Sequence, residues 1–273
     1  MHLCTQIHGI ANKARFLPLY VTVNIPEGKT RVYCDAFSKR SVSYREACLE
    51  MAKLFWNSNL EQRCVDASRV PAKQKLLELR NYSYNKEKGI LLVVQSDGNT
   101  RAVWSGISDK EIGGYDVIEP YCPTEINVGM PKNPYKISLL DSGVRIMRIR
   151  SNQEVPDYYT GLSEKSTEER PQLAASSGIF QYGDIYWGIH AKPNDSQYTR
   201  SFKFSRIDHP KQRFAEKDMI ELYPLQLQPG DKAENWAFYT NALRHIPIQY
   251  NQSLILPLPL HLAEGLKEYL FDA

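Results

Sequence analysis

Strict alternation of apolar and polar residues marks the first element of the chain. From Leu17 to Ile25 the odd positions are Leu, Leu, Val, Val and Ile, and the even ones are Pro, Tyr, Thr and Asn. A period of two is typical of a strand that buries one face. The Pro and Gly of IPEGKT then predict a turn. The stretch RVYCDAF (31–37) is therefore expected to return as the second strand of an antiparallel hairpin.

The period changes to that of a helix directly afterwards. Ser43 and Glu46 form an S-x-x-E capping box, and apolar side chains follow at helical spacing, which predicts a helix over 43–56. A second helical stretch, AKQKLLELR, leads into the continuous apolar run GILLVV. Its length and branched residues predict a central strand covered on both faces, ending at Gln95, Ser96 and Asp97.

The second half of the chain begins with a loop and continues mainly as strands. EPYCPTEINVGMPKNP (119–134) is rich in Pro and polar residues and predicts a loop, and SGVRIMRIR predicts a strand. SEKSTEERPQLAASS predicts a mobile surface loop. IFQYGDIYWGIHAKP and TRSFKFSRID predict paired strands.

Two helices are expected near the end of the chain. Asp231 and Glu234 predict a capped helix that runs through Trp236 to Leu243. LPLPLHLAEGLKEYLF then predicts a terminal helix with its prolines at the start. Its apolar stripe is Leu262, Ala263, Leu266 and Leu270, while His261, Glu264 and Glu268 share the adjacent face.

These elements predict an α/β fold. With 273 residues and 42% hydrophobic residues, the chain is large enough for a substantial core. We expect one domain over 1–273, with a core at about 15–120, the loop at about 119–134, and the remaining strands and terminal helix at about 135–273. Five scattered cysteines indicate a reducing compartment, and no apolar run is long enough to span a bilayer, so we expect a cytoplasmic protein.

Two segments carry a resemblance to a known family. LLVVQSDGNTRAVW resembles the segment of bacterial PIWI-RE proteins, distant relatives of Argonaute, in which an apolar strand ends in Asp and is followed by Asn-x-Arg and Trp. SLILPLPLHLAEGLKEYL is similar to the terminal helix of PIWI domains. The resemblance runs from about residue 15 to the end. It implies an RNase H-like mixed sheet flanked by helices, with additional C-terminal antiparallel strands, as the C-terminal portion of a longer protein or as a short variant.

The resemblance also implies which residues would carry catalysis. RNase H-like nucleases hold divalent metals between clustered carboxylates. Asp97 corresponds to the acid of the central strand and Glu264 to the last ligand on the terminal helix, and these two would bind Mg²⁺ or Mn²⁺ in an active enzyme. The first strand offers Thr22 and Asn24 instead of Asp, and the nearest acid is Asp35. We therefore expect weak or absent cleavage, while a turn role for Asp97 and a solvated helix face for Glu264 stay open.

Basic residues provide the candidates for nucleic-acid contact. The net charge is only +3, but the segment from His190 to Lys217 has seven Lys or Arg and three acidic residues, interleaved with aromatic rings. An ordinary sheet edge would show the same pattern. The family name refers to an arginine and a glutamate; Arg101 is the candidate for the first, and Glu154 and Glu264 are candidates for the second. The predicted nucleic-acid-binding residues are Arg101, Asn99, Arg145, Arg148, Arg150, Arg200, Lys203, Arg206 and His261.

Three functions remain open from the sequence. The first is a PIWI-type module that binds a guide or guide–target duplex, RNA or DNA, in a prokaryotic defence system against plasmids or phages, with nuclease and helicase partners as the resemblance implies. The second is an active metal-dependent endonuclease built on Asp35, Asp97 and Glu264. The third is an RNase H-like scaffold that binds only protein partners.

Overall fold

The computed structural model of the chain describes its helices, its strands and a few loop residues. The described residues are 2–5, 16–24, 27–34, 38–55, 78, 81, 89–96, 100–101, 107, 109, 126–128, 135–137, 143–151, 155–156, 158–160, 178–189, 215–217, 219–245 and 254–271.

The chain divides into two compact units. Unit 1 comprises Met1–Arg148, Pro224–Asp231 and Pro259–Ala273. Unit 2 comprises Ile149–Tyr223 and Lys232–Leu258. The single domain stays a prediction, and the sequence range of the predicted loop, 119–134, falls within unit 1.

A four-stranded antiparallel sheet forms the first half of unit 1. Its strands follow one another in chain order and are β1 (His2–Thr5), β2 (Phe16–Asn24), β3 (Lys29–Cys34) and β4 (Ser38–Ser43). The predicted hairpin is confirmed, because β2 and β3 pair with Tyr20 opposite Tyr33 and Thr22 opposite Arg31. Gly28, at φ 62°, makes the turn between them, a backbone conformation that glycine adopts without strain.

Helix α1 (Tyr44–Phe55) begins where β4 ends and covers one face of this sheet. The predicted capping box is confirmed: the Ser43 N–H donates to Glu46 Oε2 at 2.8 Å, and the Glu46 N–H donates to Ser43 Oγ at 3.3 Å. The apolar positions of the sheet and of α1 then share one core. Its buried residues are Leu19, Val32, Cys34, Val42, Ala47, Met51, Leu54 and Leu266.

The terminal helix α3 (Leu258–Phe271) contributes Leu266 to the same core, as its predicted stripe requires. Tyr44 Oη donates to the carbonyl oxygen of Leu262 at 3.0 Å. A Cβ at Gly265 would lie 3.1 Å from that hydroxyl, which explains a glycine at this helical position. The core and this hydrogen bond fix α3 against α1.

A five-stranded sheet has the order β10-β11-β13-β8-β5. Its members are β5 (Ile90–Gln95), β8 (Val144–Ser151), β10 (Gly178–Tyr182), β11 (Ile185–Ile189) and β13 (Met219–Gln226). The run GILLVV is therefore a strand of this sheet, as predicted. Its predicted central, fully covered position is not confirmed, because β5 stands at the end of the order of the described strands and only two of its six residues are buried. Two short pairs complete the described strands: β6 (Ile126–Val128) with β7 (Tyr135–Ile137), and β9 (Tyr158–Thr160) with β12 (Ala215–Lys217).

One predicted element has a different secondary structure, and several others lie outside the described residues. A short strand, β6, interrupts the loop predicted over 119–134. The predicted strand over 199–208 and the predicted loop over 163–177 lie outside the described residues, as does most of the helix predicted over 72–80.

In unit 2, the hairpin of β10 and β11 supports α2 (Ala233–Ala242). Arg244 is fully buried beyond the end of α2, where its Nη1 donates to the carbonyl oxygen of Gly188 at 3.1 Å and its Nε to that of Leu254 at 3.0 Å. Gly188 lies beneath the helix, since a Cβ there would be 2.5 Å from Asn241 Oδ1. A buried guanidinium thus ties α2 to the hairpin and to the segment that follows.

We predict that Ser43→Ala destabilises the chain by about 1 kcal/mol, because the N-terminus of α1 loses its side-chain cap. The measurement is the free energy of unfolding in urea, followed by circular dichroism. Ser41→Ala, at an exposed position of β4, is the matched control and should change stability little. Equal stability of both variants would contradict a functional cap at Ser43.

The capping box also predicts a pH dependence. Hydrogen bonds from the backbone and side chain of Ser43, aided by Arg40 and Arg31, hold the pKa of Glu46 below its ordinary value of 4.5. A lowered carboxylate pKa stabilises the folded chain above pH 4.5, and this stabilisation is lost as pH falls through the lower pKa of the folded state. Glu46→Gln should therefore lose less stability on acidification than wild type in urea titrations, whereas Glu268→Gln should behave like wild type.

Candidate nucleic-acid interface

Buried hydrogen bonds hold the segment that follows β5. The Ser96 side chain is 1% exposed, and its Oγ donates to the carbonyl oxygen of Ile107 at 3.1 Å. Arg101 Nη1 donates to the carbonyl oxygen of Ser96 at 2.9 Å. Since Thr100 and Arg101 are helical and Thr100 is fully buried, a short helical turn is anchored back onto the end of the strand.

The guanidinium of Arg148, on β8, binds the far end of this segment. Arg148 is 3% exposed, and its Nη1 donates to Asp109 Oδ1 at 2.6 Å and to the carbonyl oxygen of Ile107 at 3.3 Å. The segment from Ser96 to Asp109, called the β5 loop below, is thereby fixed at both ends. Charge-assisted bonds of this kind are stronger than neutral ones.

Several predicted site residues lie outside the described residues. Asp97 and Asn99 belong to the β5 loop but lie outside the described residues, as do Asp35, Arg200, Lys203 and Arg206. Their catalytic and binding roles stay predictions. Two of the anchoring residues, Arg101 and Arg148, are predicted site residues, whereas Ser96 and Asp109 were missed by sequence reasoning. Ser96 could have been found from its place at a strand end, but nothing in the sequence distinguishes Asp109.

Arg145 forms an internal ion pair with two contacts. Its Nε lies 2.6 Å from Asp231 Oδ2 and its Nη2 lies 2.9 Å from Asp231 Oδ1. The predicted capping of α2 by Asp231 is wrong: the N-cap residue is Lys232, which makes no side-chain cap, and Asp231 Oδ2 accepts from the Gln228 N–H at 2.8 Å. Asp231 therefore closes the turn before the helix, where Gly230 has φ 84°.

Arg150 is paired as well, with its Nη1 3.5 Å from Glu221 Oε2 on β13. The glutamate side chain is 3% exposed and the arginine side chain 16%. β8 has neighbours on both sides in the sheet, and six of its eight residues are buried. The arginines of β8 thus have structural partners, so phosphate contact by Arg145, Arg148 or Arg150 stays a prediction that their internal pairing does not favour.

The terminal helix presents its polar residues as predicted. Glu264 is exposed and His261 is partly exposed on α3. Within the described ranges, no group of three or more His, Cys, Asp or Glu residues could hold a metal ion. The described part of the chain therefore supplies no metal site, and no metal-dependent step follows from it.

The comparison of Thr22 and Asn24 with the first catalytic strand of a nuclease fold stays a prediction. Both residues lie on β2 in the four-stranded sheet, whereas β5, which precedes Asp97, belongs to the five-stranded sheet. The strand beside β5 is β8, whose sequence VRIMRIRS contains three arginines and no acidic residue. The pairing of the described strands therefore does not bring Thr22 or Asn24 beside β5.

A comparison with family models decides the assignment. The model described as RNaseH domain of pPIWI_RE matches residues 5–272, almost the whole chain. The chain belongs to this family. Its α/β sheet architecture agrees with an RNase H-like fold, so the predicted fold class and family are both confirmed.

The other comparisons return no match: no curated protein and no solved structure resembles the chain closely enough to be assigned to it. A separate search of the described residues finds no helix that combines the length and the apolar character needed to cross a membrane. The assignment to the RNaseH domain of pPIWI_RE thus rests on the family match.

We predict that Asp109→Ala destabilises the chain by about 2 kcal/mol, because the buried Arg148 guanidinium keeps its charge and loses a carboxylate that is itself 46% exposed. Asp109→Asn should lose less stability than Asp109→Ala, since the amide oxygen of the asparagine can still accept a hydrogen bond from the guanidinium. Urea unfolding of wild type and both variants measures this order. If the alanine variant were as stable as wild type, the ion pair would not hold the β5 loop.

Proposed function

We propose that this chain is a cytoplasmic PIWI-type module that binds a guide strand or a guide–target duplex in a prokaryotic defence system, with weak or no cleavage of its own. The observation that supports this proposal is the β5 loop, in which Asp97 and Asn99 lie in sequence between residues anchored by buried and partly buried hydrogen bonds. Nuclease and helicase subunits are the partners that the family suggests.

The position of the β5 loop supports a binding role. In open α/β sheets, ligands bind in the crevice beyond the carboxyl ends of the strands, and the β5 loop follows the carboxyl end of β5. A binding loop must also hold its geometry, and this one is fastened through Ser96, Arg101 and Arg148. Arg101 is partly exposed, and its hydrogen bond to the Ser96 carbonyl orients the guanidinium.

The charge of the neighbouring strand supports weak cleavage. Two divalent ions need several carboxylates close together. β8, beside β5, carries three arginines, and Glu221 on β13 is paired with Arg150. β8 therefore supplies no carboxylate for a metal ion, and its three arginines are engaged with Asp231, Asp109 and Glu221.

Binding is tested with fluorescence anisotropy on a labelled guide–target duplex. We expect affinity to fall steeply with salt, and Arg101→Gln to weaken binding about tenfold, because a charged hydrogen bond to phosphate is lost. The affinity of Arg101→Lys should lie between those of wild type and Arg101→Gln. Arg45→Gln, which removes an exposed cation of α1, is the matched control. Circular dichroism confirms that each variant folds.

Salt-insensitive or absent binding would refute the proposal. Absence of binding together with a stable complex with a nuclease or helicase subunit would instead favour a protein scaffold.

Cleavage is tested by incubating the same duplex with Mg²⁺ or Mn²⁺. We expect little or no product from wild type. Products that vanish in Asp97→Ala but persist in Asp184→Ala, the control on the β10–β11 turn, would establish an active endonuclease and overturn the expectation of weak cleavage.

A further inference from the structure

The two faces of the four-stranded sheet in unit 1 differ in character. Leu19 and Val21 of β2, with Val32 and Cys34 of β3, point toward α1 and the core. Side chains alternate along a strand, so the intervening residues point the other way. This outer face carries Tyr20, Thr22 and Asn24 from β2 and Lys29, Arg31 and Tyr33 from β3.

Two tyrosines form the centre of the outer face. Tyr20 and Tyr33 are cross-strand partners, with ring centroids 6.1 Å apart and planes inclined at 55°. Both residues are intermediate between buried and exposed, so part of each residue reaches solvent. They are the kind of paired rings on which unstacked bases lie in single-strand-binding sheets.

Cations lie next along the same strand. Arg31 and Lys29 are exposed, opposite Thr22 and Asn24. Acidic residues stand at the margins: Glu27 lies 3.2 Å from Lys29, and Glu46 lies near enough to Arg31 and Arg40 for them to lower its pKa. Because the excess of positive charge is small, stacking must supply most of the affinity of an anionic ligand for this face.

We propose that the outer face of the four-stranded sheet binds single-stranded nucleic acid, with bases on Tyr20 and Tyr33 and the backbone beside Arg31 and Lys29. A duplex is a poorer ligand, since its bases are already stacked on one another and cannot lie on the rings. A protein partner is disfavoured because Thr22, Asn24, Lys29 and Arg31 surround the tyrosines with polar and charged groups. This site is separate from the β5 loop and does not depend on the function proposed for it.

The test uses fluorescein-labelled oligothymidylate and oligouridylate and three full-length variants. Tyr33→Phe keeps the aromatic ring and should bind like wild type. Tyr33→Leu keeps apolar bulk without the ring and should bind about tenfold more weakly, the loss expected for one base stack. Tyr182→Leu removes a tyrosine that is 80% exposed on β10 and should bind like wild type. The ratio of the two oligonucleotide affinities distinguishes DNA from RNA.

A second variant tests the backbone contact. Arg31→Gln should reduce the slope of log affinity against log salt by about 0.7, the value for one phosphate of a single strand. Arg45→Gln should leave the slope unchanged. Photo-crosslinking of wild type to an oligonucleotide containing 5-iodouracil, mapped by mass spectrometry, should label the peptides containing Tyr20 or Tyr33, and this measurement requires no substitution.

The outcomes separate this site from the β5 loop. Loss of single-strand binding in Tyr33→Leu with unchanged duplex binding supports a separate platform. Equal single-strand affinity of wild type and Tyr33→Leu, crosslinks confined to other peptides, or no single-strand binding by wild type overturns it, whatever the duplex result. Single-strand binding that depends on Tyr33 in a chain that binds no duplex would leave the platform standing and refute duplex binding at the β5 loop.

Discussion

Arginines on a strand inside a sheet impose a constraint on the surrounding structure. Moving a guanidinium out of water costs several kcal/mol, so a buried arginine must find a carboxylate or several carbonyl oxygens. β8 has three arginines, and each has a carboxylate partner: Asp231, Asp109 and Glu221. Arg145 and Arg148 thereby hold the turn that ends at Asp231 and the β5 loop within unit 1, and Arg150 holds Glu221 within unit 2.

This constraint links stability to the candidate site. Arg148 holds Ile107 and Asp109, and Ser96 reaches the same Ile107 carbonyl from the end of β5. The backbone on either side of Asp97 and Asn99 thus depends on a buried ion pair rather than on apolar packing alone. Substitutions at Arg148 that weaken ligand binding would therefore act first through the geometry of the β5 loop, and a direct phosphate contact cannot be inferred from such losses.

Local signals in the sequence predicted local structure well. The alternation from Leu17 and the Ser43–Glu46 pair each encode their own hydrogen-bonding pattern, and both the hairpin and the capping box form. Long-range partners carry no such signal. Asp231 matched a helix cap by spacing, yet its partner Arg145 lies 86 positions away. The arginines of β8 suggested a phosphate-binding strand because sequence does not reveal which strands lie inside a sheet.

The number of arginines on a strand does not by itself indicate nucleic-acid binding in this chain. An arginine in a strand indicates nucleic-acid contact only if the strand has an exposed face, and β8 has six buried residues among its eight. β3 shows the opposite case: it alternates strictly, with Val32 and Cys34 buried beneath exposed Lys29 and Arg31. The cations that can reach an external phosphate are therefore those on half-exposed strands. The tyrosines on that same face, rather than the arginine count, identify where a nucleic-acid strand would make its specific contacts.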